Sequence, residues 1–221
     1  EPERAGEQVG EGARRMADGP EVEDAQRAVV EQAVVARVRV GVDGPDEMRK
    51  RVREFVRDGA DVIKVATSGG VLSVGSDPRR AHFRPAELDV LVEEATAAGR
   101  FVMAHAQATD GIINAVQAGI RSIEHGIFLD DRAIQLMIDH GTWLVPTLIA
   151  PIWVIESVEQ GAQISDASLR KAREVIEIHA DAVRRAVDAG VKVAMGTDAG
   201  VGPHGDNLRE QIGRASCRER V

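Results

Sequence analysis

Between Asp46 and Asp198 the sequence repeats one pattern of apolar and polar positions. A segment with apolar residues at helical spacing ends at a glycine, and a short apolar run then ends at a polar residue. Glycine after a helix adopts the left-handed conformation that ends the helix and turns the chain. The apolar runs are continuous rather than alternating, as in strands that are covered on both faces. The pattern therefore predicts helix–strand units in series.

The pattern predicts five such units. Their helices occupy about 46–57, 85–98, 110–118, 130–140 and 165–189, and the strand sequences that follow are DVIKV, FVMAHA, SIEHG, WLVPTL and VKVAMGTD. Pro85 suits the first turn of a helix, and Asp130 and Ser165 are good N-cap residues. Five units in series indicate a parallel sheet with crossover helices, either an open doubly wound sheet or a (β/α) barrel.

The polar residues at the strand ends favour the barrel. These residues include Lys64, His105, His125 and Asp198. In a barrel the carboxyl ends of all strands converge on one site, whereas in an open sheet they form a row. Because five strands do not close a barrel of eight, we expect a partial (β/α)8 TIM barrel in the α/β class, with the first strands missing.

The two ends of the chain do not follow the repeat. Residues 1–40 contain no strand-like run; residues 21–39 have roughly helical spacing, and translation out of frame is the alternative interpretation. Ile212–Val221 can be back-translated into a common sequencing-adapter sequence, so we expect residues 211–221 to be an artefactual tail. The expected partial barrel domain therefore occupies residues 41–210.

The composition excludes some classes of function but does not identify one. The formal net charge is −8, and no basic stripe offsets it, which argues against a nucleic-acid partner. No apolar run is long enough to cross a membrane, and no signal peptide is recognisable. The single cysteine, Cys217, excludes a disulfide within the chain and fits a reducing cytoplasm.

The strand-end residues suggest a metal site when they are taken together. A lone histidine at a strand end is more often structural, and Asp198 in GTDAG could simply cap a turn. Lys64 is harder to explain, because burying a lysine without a partner is costly. Two imidazoles and a carboxylate suit zinc or a similar divalent ion. A neutral lysine amine can add carbon dioxide to give a carbamate able to bridge two metals, and two metals would supply hydroxide at neutral pH.

The ordered sequences DGADVIKVATSGGVLSVGSDP, VMAHA, SIEHG and MGTDAG resemble the amidohydrolase superfamily, in particular the branch of imidazolonepropionase and the Xaa-Pro dipeptidases. The resemblance covers roughly Gly44 to Glu210. It implies that Lys64 is carboxylated and bridges two metals, most commonly zinc. It also implies that His105 and His125 bind the second metal. Asp198 would bind the first metal and act catalytically as the proton shuttle.

One family feature is missing from this sequence. The family carries a His-x-His pair on its first strand, and the earliest histidine here is His82. The first metal would keep only Lys64 and Asp198 from this chain. We therefore expect the parent protein to be a hydrolase and this polypeptide to be a weakly active or inactive piece of it.

Two further sites are candidates for substrate binding. Gly69 and Gly70 lie in a Gly- and Ser-rich loop after the Lys64 strand, and their backbone N–H groups could bind a substrate carboxylate. A plain surface connection is the alternative for this loop. His204, after GTDAGVGP, could orient the substrate.

Three functions remain open on the sequence. The leading hypothesis is hydrolysis of a carbon–nitrogen bond, in a cyclic amide or an Xaa-Pro-like dipeptide, by metal-activated water. The second is a Schiff-base lyase or aldolase in which Lys64 attacks a substrate carbonyl. The third is an inactive fragment whose open strand edges aggregate. We expect the protein to bind a small molecule or a dipeptide, and to bind neither nucleic acid nor a membrane. Assembly into a homo-oligomer is also compatible with the sequence.

Overall fold

The computed structural model describes residues 35–38, 41–73 and 75–211. The chain divides into two compact units, Glu1–Ala33 and Val34–Val221, and all described residues belong to the second. The predicted tail lies outside the described residues except for Gln211, as does most of the helix predicted over residues 21–39. None of the described helices is long and apolar enough to cross a membrane.

The described unit contains one parallel sheet. Its strands are β1 (Val35–Val38), β2 (Val62–Ala66), β3 (Phe101–Ala106), β4 (Ser122–His125), β5 (Trp143–Val145) and β6 (Lys192–Val193). Each strand pairs with the next one along the chain, so spatial order equals chain order. A doubly wound sheet would reverse its order at a switch point. The topology is therefore that of a barrel sheet, as predicted.

Six helices accompany these strands in the described residues. They are α1 (Gly44–Arg57), α2 (Pro85–Ala97), α3 (Thr109–Gln117), α4 (Asp131–His140), α5 (Ile149–Glu159) and α6 (Asp166–Ala189). The predicted caps of α4 and α6 are confirmed, because Asp130 accepts from the Ala133 N–H and Ser165 accepts from the Ser168 N–H. These caps satisfy backbone donors that the first helical turn leaves free.

Strand β1 corrects the prediction for the N-terminal segment. We expected no strand before residue 41, yet Val35–Val38 pairs in parallel with β2, with Val35 opposite Val62. A four-residue run next to a sequence rich in Glu, Arg and Ala gives little local signal, and pairing with a neighbouring strand decides its conformation. The sheet therefore begins before the boundary that we placed at residue 41.

Helix α5 was also absent from the predicted elements. Its sequence IAPIWVIESVE is apolar on almost every side, so it shows no helical period. Pro151 stands in the first turn, where the missing N–H costs no hydrogen bond. The segment after WLVPTL, to which no element was assigned, is thus a helix whose first residues are buried.

The sheet separates the core from the candidate site. On β3, Val102, Ala104 and Ala106 are buried in a cluster that includes Leu91 of α2 and Ile112 of α3. The alternate residues of each strand face the other side of the sheet, as the twofold period of a strand requires. Strand register puts Lys64 beside Met103, in one row across that face. The next row toward the carboxyl end contains His105 beside Glu124.

Candidate active site

The structure brings the two predicted histidines together at the carboxyl end of the sheet. His105 lies near the end of β3 and His125 is the last residue of β4. Their ring centroids are 4.7 Å apart and their planes meet at 70°. His105 is partly exposed, whereas His125 is buried. Adjacent parallel strands therefore place two imidazoles within reach of one small ligand or ion.

A backbone carbonyl fixes the protonation of the His105 ring. His105 Nε2 lies 3.0 Å from the Gly69 carbonyl oxygen, which only accepts, so Nε2 carries the hydrogen. The Nδ1 lone pair is then unengaged by any other described residue. Burial lowers the pKa of His105, the Gly69 carbonyl opposes that shift, and the charge of Lys64 lowers it further.

The Gly- and Ser-rich loop packs directly on this ring. A Cβ atom at Gly70 would stand 3.3 Å from His105 Cε1, so the loop approaches as closely as it does because a glycine is there. Lys171 of α6 donates to the Ser73 and Ser76 carbonyls at 2.9 and 2.6 Å. The loop is thus held against the site rather than being a plain surface connection.

The predicted substrate contacts have different environments. The Gly69 N–H donates to the Arg80 carbonyl at 3.2 Å, so a substrate carboxylate would have to compete with that bond. Gly70 lines the cavity beside His105 and His125. His204 is exposed and is not among the residues that line this cavity.

His125 is held by two hydrogen bonds. Its Nδ1 lies 2.6 Å from Thr147 Oγ1, and its carbonyl accepts a hydrogen bond from His179 Nε2 at 2.8 Å. Its φ of 76° lies in the left-handed region. Burial holds the pKa of His125 well below its ordinary value, and His105, His179 and Lys64 lower it further. A neutral imidazole at pH 7 is the form that binds metals.

Three strand ends share an unusual backbone conformation. Among the described residues, the non-glycine residues with positive φ are His125, Thr147 and Asp198, with φ of 76°, 54° and 55°. They follow or end β4, β5 and β6, at the same end of the sheet. A left-handed L-residue costs about 1–2 kcal/mol, and such strain persists where the surroundings impose it, commonly at functional sites.

A cavity of about 120 Å³ opens at these strand ends. Its polar lining includes His105, His125, Thr147, His179 and Asp198, and its apolar lining includes Val71, Ile127, Pro151, Val154 and Val201. A concave site that combines a few polar groups with an apolar wall is typical of small-molecule binding.

Lys64 and Asp198 lie near the histidine pair without joining it. The positive charge of Lys64 lowers the pKa of both His105 and His125, and the negative charge of Asp198 raises the pKa of His105. Lys64 is half-buried and Asp198 is exposed. Among the described residues, no three His, Cys, Asp or Glu side chains converge closely enough to hold a metal ion. The structure thus assembles part of the predicted ligand set.

The chemistry of the histidine pair nevertheless fits a divalent ion. Each ring has one nitrogen tied to a protein group, the Gly69 carbonyl or the Thr147 hydroxyl. The opposite nitrogen, Nδ1 of His105 or Nε2 of His125, has no hydrogen-bond partner among the described residues. Metal-binding histidines have this arrangement, with the second nitrogen bound to a neighbouring group that sets the tautomer.

Sequence reasoning missed three residues at this site. Glu124 is buried beside His105 in the sheet register, and burial raises the pKa of Glu124 while its bond to Ser122 opposes that shift. His179 is buried on α6, and burial lowers the pKa of His179 to about 4. Thr147 stood at a predicted strand end but had no assigned role. The twofold period of SIEHG could have indicated Glu124, whereas His179 on an apolar helix face gave no signal.

Comparisons with known proteins place the chain in a family. The sequence profile of the Amidohydrolase family matches residues 5–219. Ochratoxinase of Aspergillus niger is 39% identical over 160 residues, which are 72% of this chain and 33% of that protein. A crystal structure of a Xaa-Pro dipeptidase with bound methionine superimposes with a TM-score of 0.75 at 40% identity, covering 80% of this chain and 43% of that one. The chain spans less than half the length of these relatives, and it belongs to the amidohydrolase family.

Proposed function

We propose that this chain is part of a metal-dependent hydrolase that cleaves a carbon–nitrogen bond in an amide or a dipeptide. The observation that carries the proposal is the pair of neutral imidazoles, His105 and His125, in a cavity at the carboxyl end of the sheet. Two relatives support the reaction class by their names, ochratoxinase and Xaa-Pro dipeptidase. In barrel enzymes this end of the sheet carries the active site.

Each residue of the site has a separate role in the proposed reaction. His105 through Nδ1 and His125 through Nε2 would hold the ion, and zinc suits this donor set best. When bound, the metal polarises the scissile carbonyl and makes water acidic enough to react at neutral pH. Asp198 would take a proton from the attacking water and pass it to the leaving amine. Lys64, if carboxylated, would supply oxygen ligands for a second ion in the parent protein.

The apolar wall of the cavity indicates where the rest of the substrate binds. Val71, Ile127, Pro151 and Val154 line the cavity beside the histidines. An apolar side chain next to the scissile bond would bury its surface there and displace water. Substrates of the Xaa-Pro type, or amides of apolar amino acids, meet this requirement.

Zinc binding by the purified chain tests the proposal. We expect about one tightly bound zinc ion, because two histidines and two further ligands or waters complete a tetrahedral site. His105→Ala and His125→Ala should each abolish tight binding. His140→Ala is the matched control, because His140 is exposed at the end of α4 and is not among the residues lining the cavity. Equal zinc content in all four proteins would reject this site.

Activity assays then separate hydrolysis from the Schiff-base alternative. Hydrolysis of Xaa-Pro dipeptides or N-acyl amino acids should stop on addition of a chelator and return with zinc. A borohydride-trapped substrate adduct at Lys64, formed equally well with chelator present, would instead favour lyase chemistry. A chain that binds zinc without hydrolysing any of these substrates would support the metal site and place activity in the longer parent protein.

A further inference from the structure

One lysine of helix α6 holds the loop that lies beside His105. Lys171 Nζ lies 3.3, 2.9 and 2.6 Å from the carbonyl oxygens of Gly70, Ser73 and Ser76. An ammonium group has three hydrogens to donate and accepts none, so these carbonyls use its full donor capacity. Hydrogen bonds from a charged donor are roughly twice as strong as bonds between neutral groups. Lys171 therefore attaches the loop firmly to α6.

The held segment, residues 69–73, forms one wall of the cavity that contains the histidine pair. The residues of this loop wall that line the cavity are Gly70, Val71, Leu72 and Ser73. The Gly69 carbonyl accepts the hydrogen bond from His105 Nε2 at 3.0 Å. A displacement of the loop wall would therefore turn the His105 ring and change the width of the cavity.

Apolar packing also draws the loop wall to α6 but does not fix its orientation. Val71 is buried in a small cluster that includes Ala172 and Val175 of the helix. Apolar burial is non-directional, whereas a hydrogen bond fixes the direction of the carbonyl that accepts it. Gly69 and Gly70 have no side chains, and glycine has the freest backbone of any residue type. The orientation of their peptide groups therefore depends on partners such as the Lys171 ammonium.

Helix α6 thereby reaches both histidines of the pair. Further along this helix, His179 Nε2 donates to the His125 carbonyl at 2.8 Å. The positions of Lys171 and His179 are about 12 Å apart along the helix axis. Lys171 acts on His105 through the loop wall, and His179 acts on His125 through the end of β4. One rigid element therefore sets the relative position of the two imidazoles.

We propose that Lys171 is a positioning residue whose ammonium group holds the loop wall against His105 and so fixes the direction of that ring. Lys171 is not among the residues that line the cavity, so it acts through the loop wall rather than on a bound ligand. The consequence for metal binding rests on the proposed function, whereas the placement of the loop wall does not.

Amide hydrogen exchange tests the placement in the metal-free chain. Lys171→Met keeps an apolar side chain of similar length and removes the three donors. We expect about tenfold faster exchange of the Gly69, Gly70 and Val71 amides, because the loop wall opens locally, and unchanged exchange in α3. Arg170→Met is the matched control, because Arg170 is the exposed neighbour of Lys171 on α6. Equal exchange of the loop wall in Lys171→Met and the parent would overturn the proposal.

Chemical rescue separates the ammonium group from packing. Cys217 is the single cysteine of the chain, so Lys171→Cys with Cys217→Ser carries one thiol at the position of interest. Alkylation with 2-bromoethylamine restores an ammonium group at the length of lysine, and alkylation with 1-bromopropane gives a neutral side chain of the same length. We expect slow exchange of the loop wall with the ammonium group alone. Equal exchange in both would reject a role for the charge. If the alkylated chains do not refold, Lys171→Arg keeps a charged donor and replaces the first of them.

Metal affinity provides the second measurement. Loss of a group that orients a metal ligand typically weakens binding by about 10–100-fold, and we expect a loss of about tenfold in zinc affinity for Lys171→Met. The absorption spectrum of bound cobalt should also change, because it reports ligand geometry. Arg170→Met should match the parent in both. An unchanged affinity and spectrum in Lys171→Met would contradict the positioning of His105. If the parent chain binds no zinc, the proposed metal site fails, and hydrogen exchange alone decides the role of Lys171.

Discussion

The two ends of the parallel sheet are built on different principles. At the carboxyl end, three residues adopt left-handed backbone conformations, and buried hydrogen bonds hold two of them in place. At the amino end, Phe101 and Trp143 are 41% and 40% exposed. Arg121 lies 4.8 Å above the Phe101 ring and Lys192 lies 5.9 Å above the Trp143 ring.

This difference shows that the carboxyl end of the sheet loses some stability to backbone strain and in return fixes the positions of its side chains. Strained backbone with buried partners specifies side-chain positions to a fraction of an ångström, which a reactive site requires. Cations over exposed rings add weak attraction and tolerate movement. Barrel enzymes in general place function at the carboxyl end and stability at the amino end. Substitutions at the two ends should therefore differ in both size and kind.

Glu210→Ala should have the largest effect, because it removes the two side-chain oxygens that accept from the buried N–H groups of Leu148 and Ile149. Hydrogen bonds to a charged acceptor contribute about 1.5–3 kcal/mol each, so we expect a loss of about 3 kcal/mol in the free energy of unfolding, measured by urea denaturation. Arg209→Gln is the neighbouring control, since its ion pair with Glu156 lies at the surface and should contribute less than about 1 kcal/mol. Equal losses in both variants would contradict the comparison.

Gly202→Ala should disturb the loop that follows Asp198. A Cβ atom at Gly202 would stand 1.9 Å from Trp153 Cδ2, and the Trp153 side chain is buried. Because the ring has little room to move, we expect a loss of about 2 kcal/mol and a changed tryptophan fluorescence spectrum.

Gly205→Ala is the control for that clash. Gly205 has a φ of 95°, and a methyl group at its Cα would have no neighbouring atom within 4 Å, so alanine there adds backbone strain alone. We expect a loss of about 1 kcal/mol with an unchanged fluorescence spectrum. A spectrum altered equally by both substitutions would show that the loop, rather than contact with Trp153, controls the signal.

Substitutions at the amino end of the sheet should change the free energy of unfolding only slightly. A double-mutant cycle of Phe101→Leu and Arg121→Gln should give a coupling of about 0.5–1 kcal/mol, as expected for an exposed cation–aromatic pair. Zinc affinity should stay at the parent value in all three variants, because neither side chain lines the cavity of the histidine pair. A loss of zinc binding would mean that the two ends are coupled.

The sequence predicted those elements whose signals are local. The helix that begins at Pro85, the caps Asp130 and Ser165, and the convergence of His105 and His125 follow from turn chemistry and strand order. The contacts that hold the site do not, because they join residues far apart in the chain. Thr147 reaches back 22 residues to His125, and His179 reaches back 54 residues to the same residue.

Strand β1 and helix α5, the two elements that the sequence did not predict, were missed for the same physical reason. Strand β1 is too short to carry a period of its own, and pairing with Val62 and its neighbours defines it. Helix α5 is apolar on nearly all sides because it is buried at its start and capped by Glu210 from 61 residues away. Such features depend on tertiary contacts, which a single sequence does not reveal.

The smallest predicted effect concerns an ion pair between helices α1 and α2. Arg53 donates to Glu94 at 2.7 and 2.9 Å, and Arg49 also donates to Glu94. The hydrogen bonds from Arg53, and then from Arg49, lower the pKa of Glu94, although burial opposes them. The Glu94 carboxylate takes up a proton at about pH 4.3 in the unfolded chain and only at lower pH in the folded chain. Glu94 therefore stabilises the fold above that range, and this contribution is lost as the pH falls through the folded pKa.

Glu94→Gln should reveal this contribution as a difference that depends on pH. The variant should unfold at lower urea than the parent near neutral pH, and the gap should close as acid protonates Glu94 in the parent. Glu93→Gln is the control, because Glu93 is the exposed neighbour on the same helix. The gap should be small, since the arginines are solvent-exposed and water screens their charge. A gap that is constant with pH would show that Glu94 acts through packing, and charge would then have no part in holding helices α1 and α2 together.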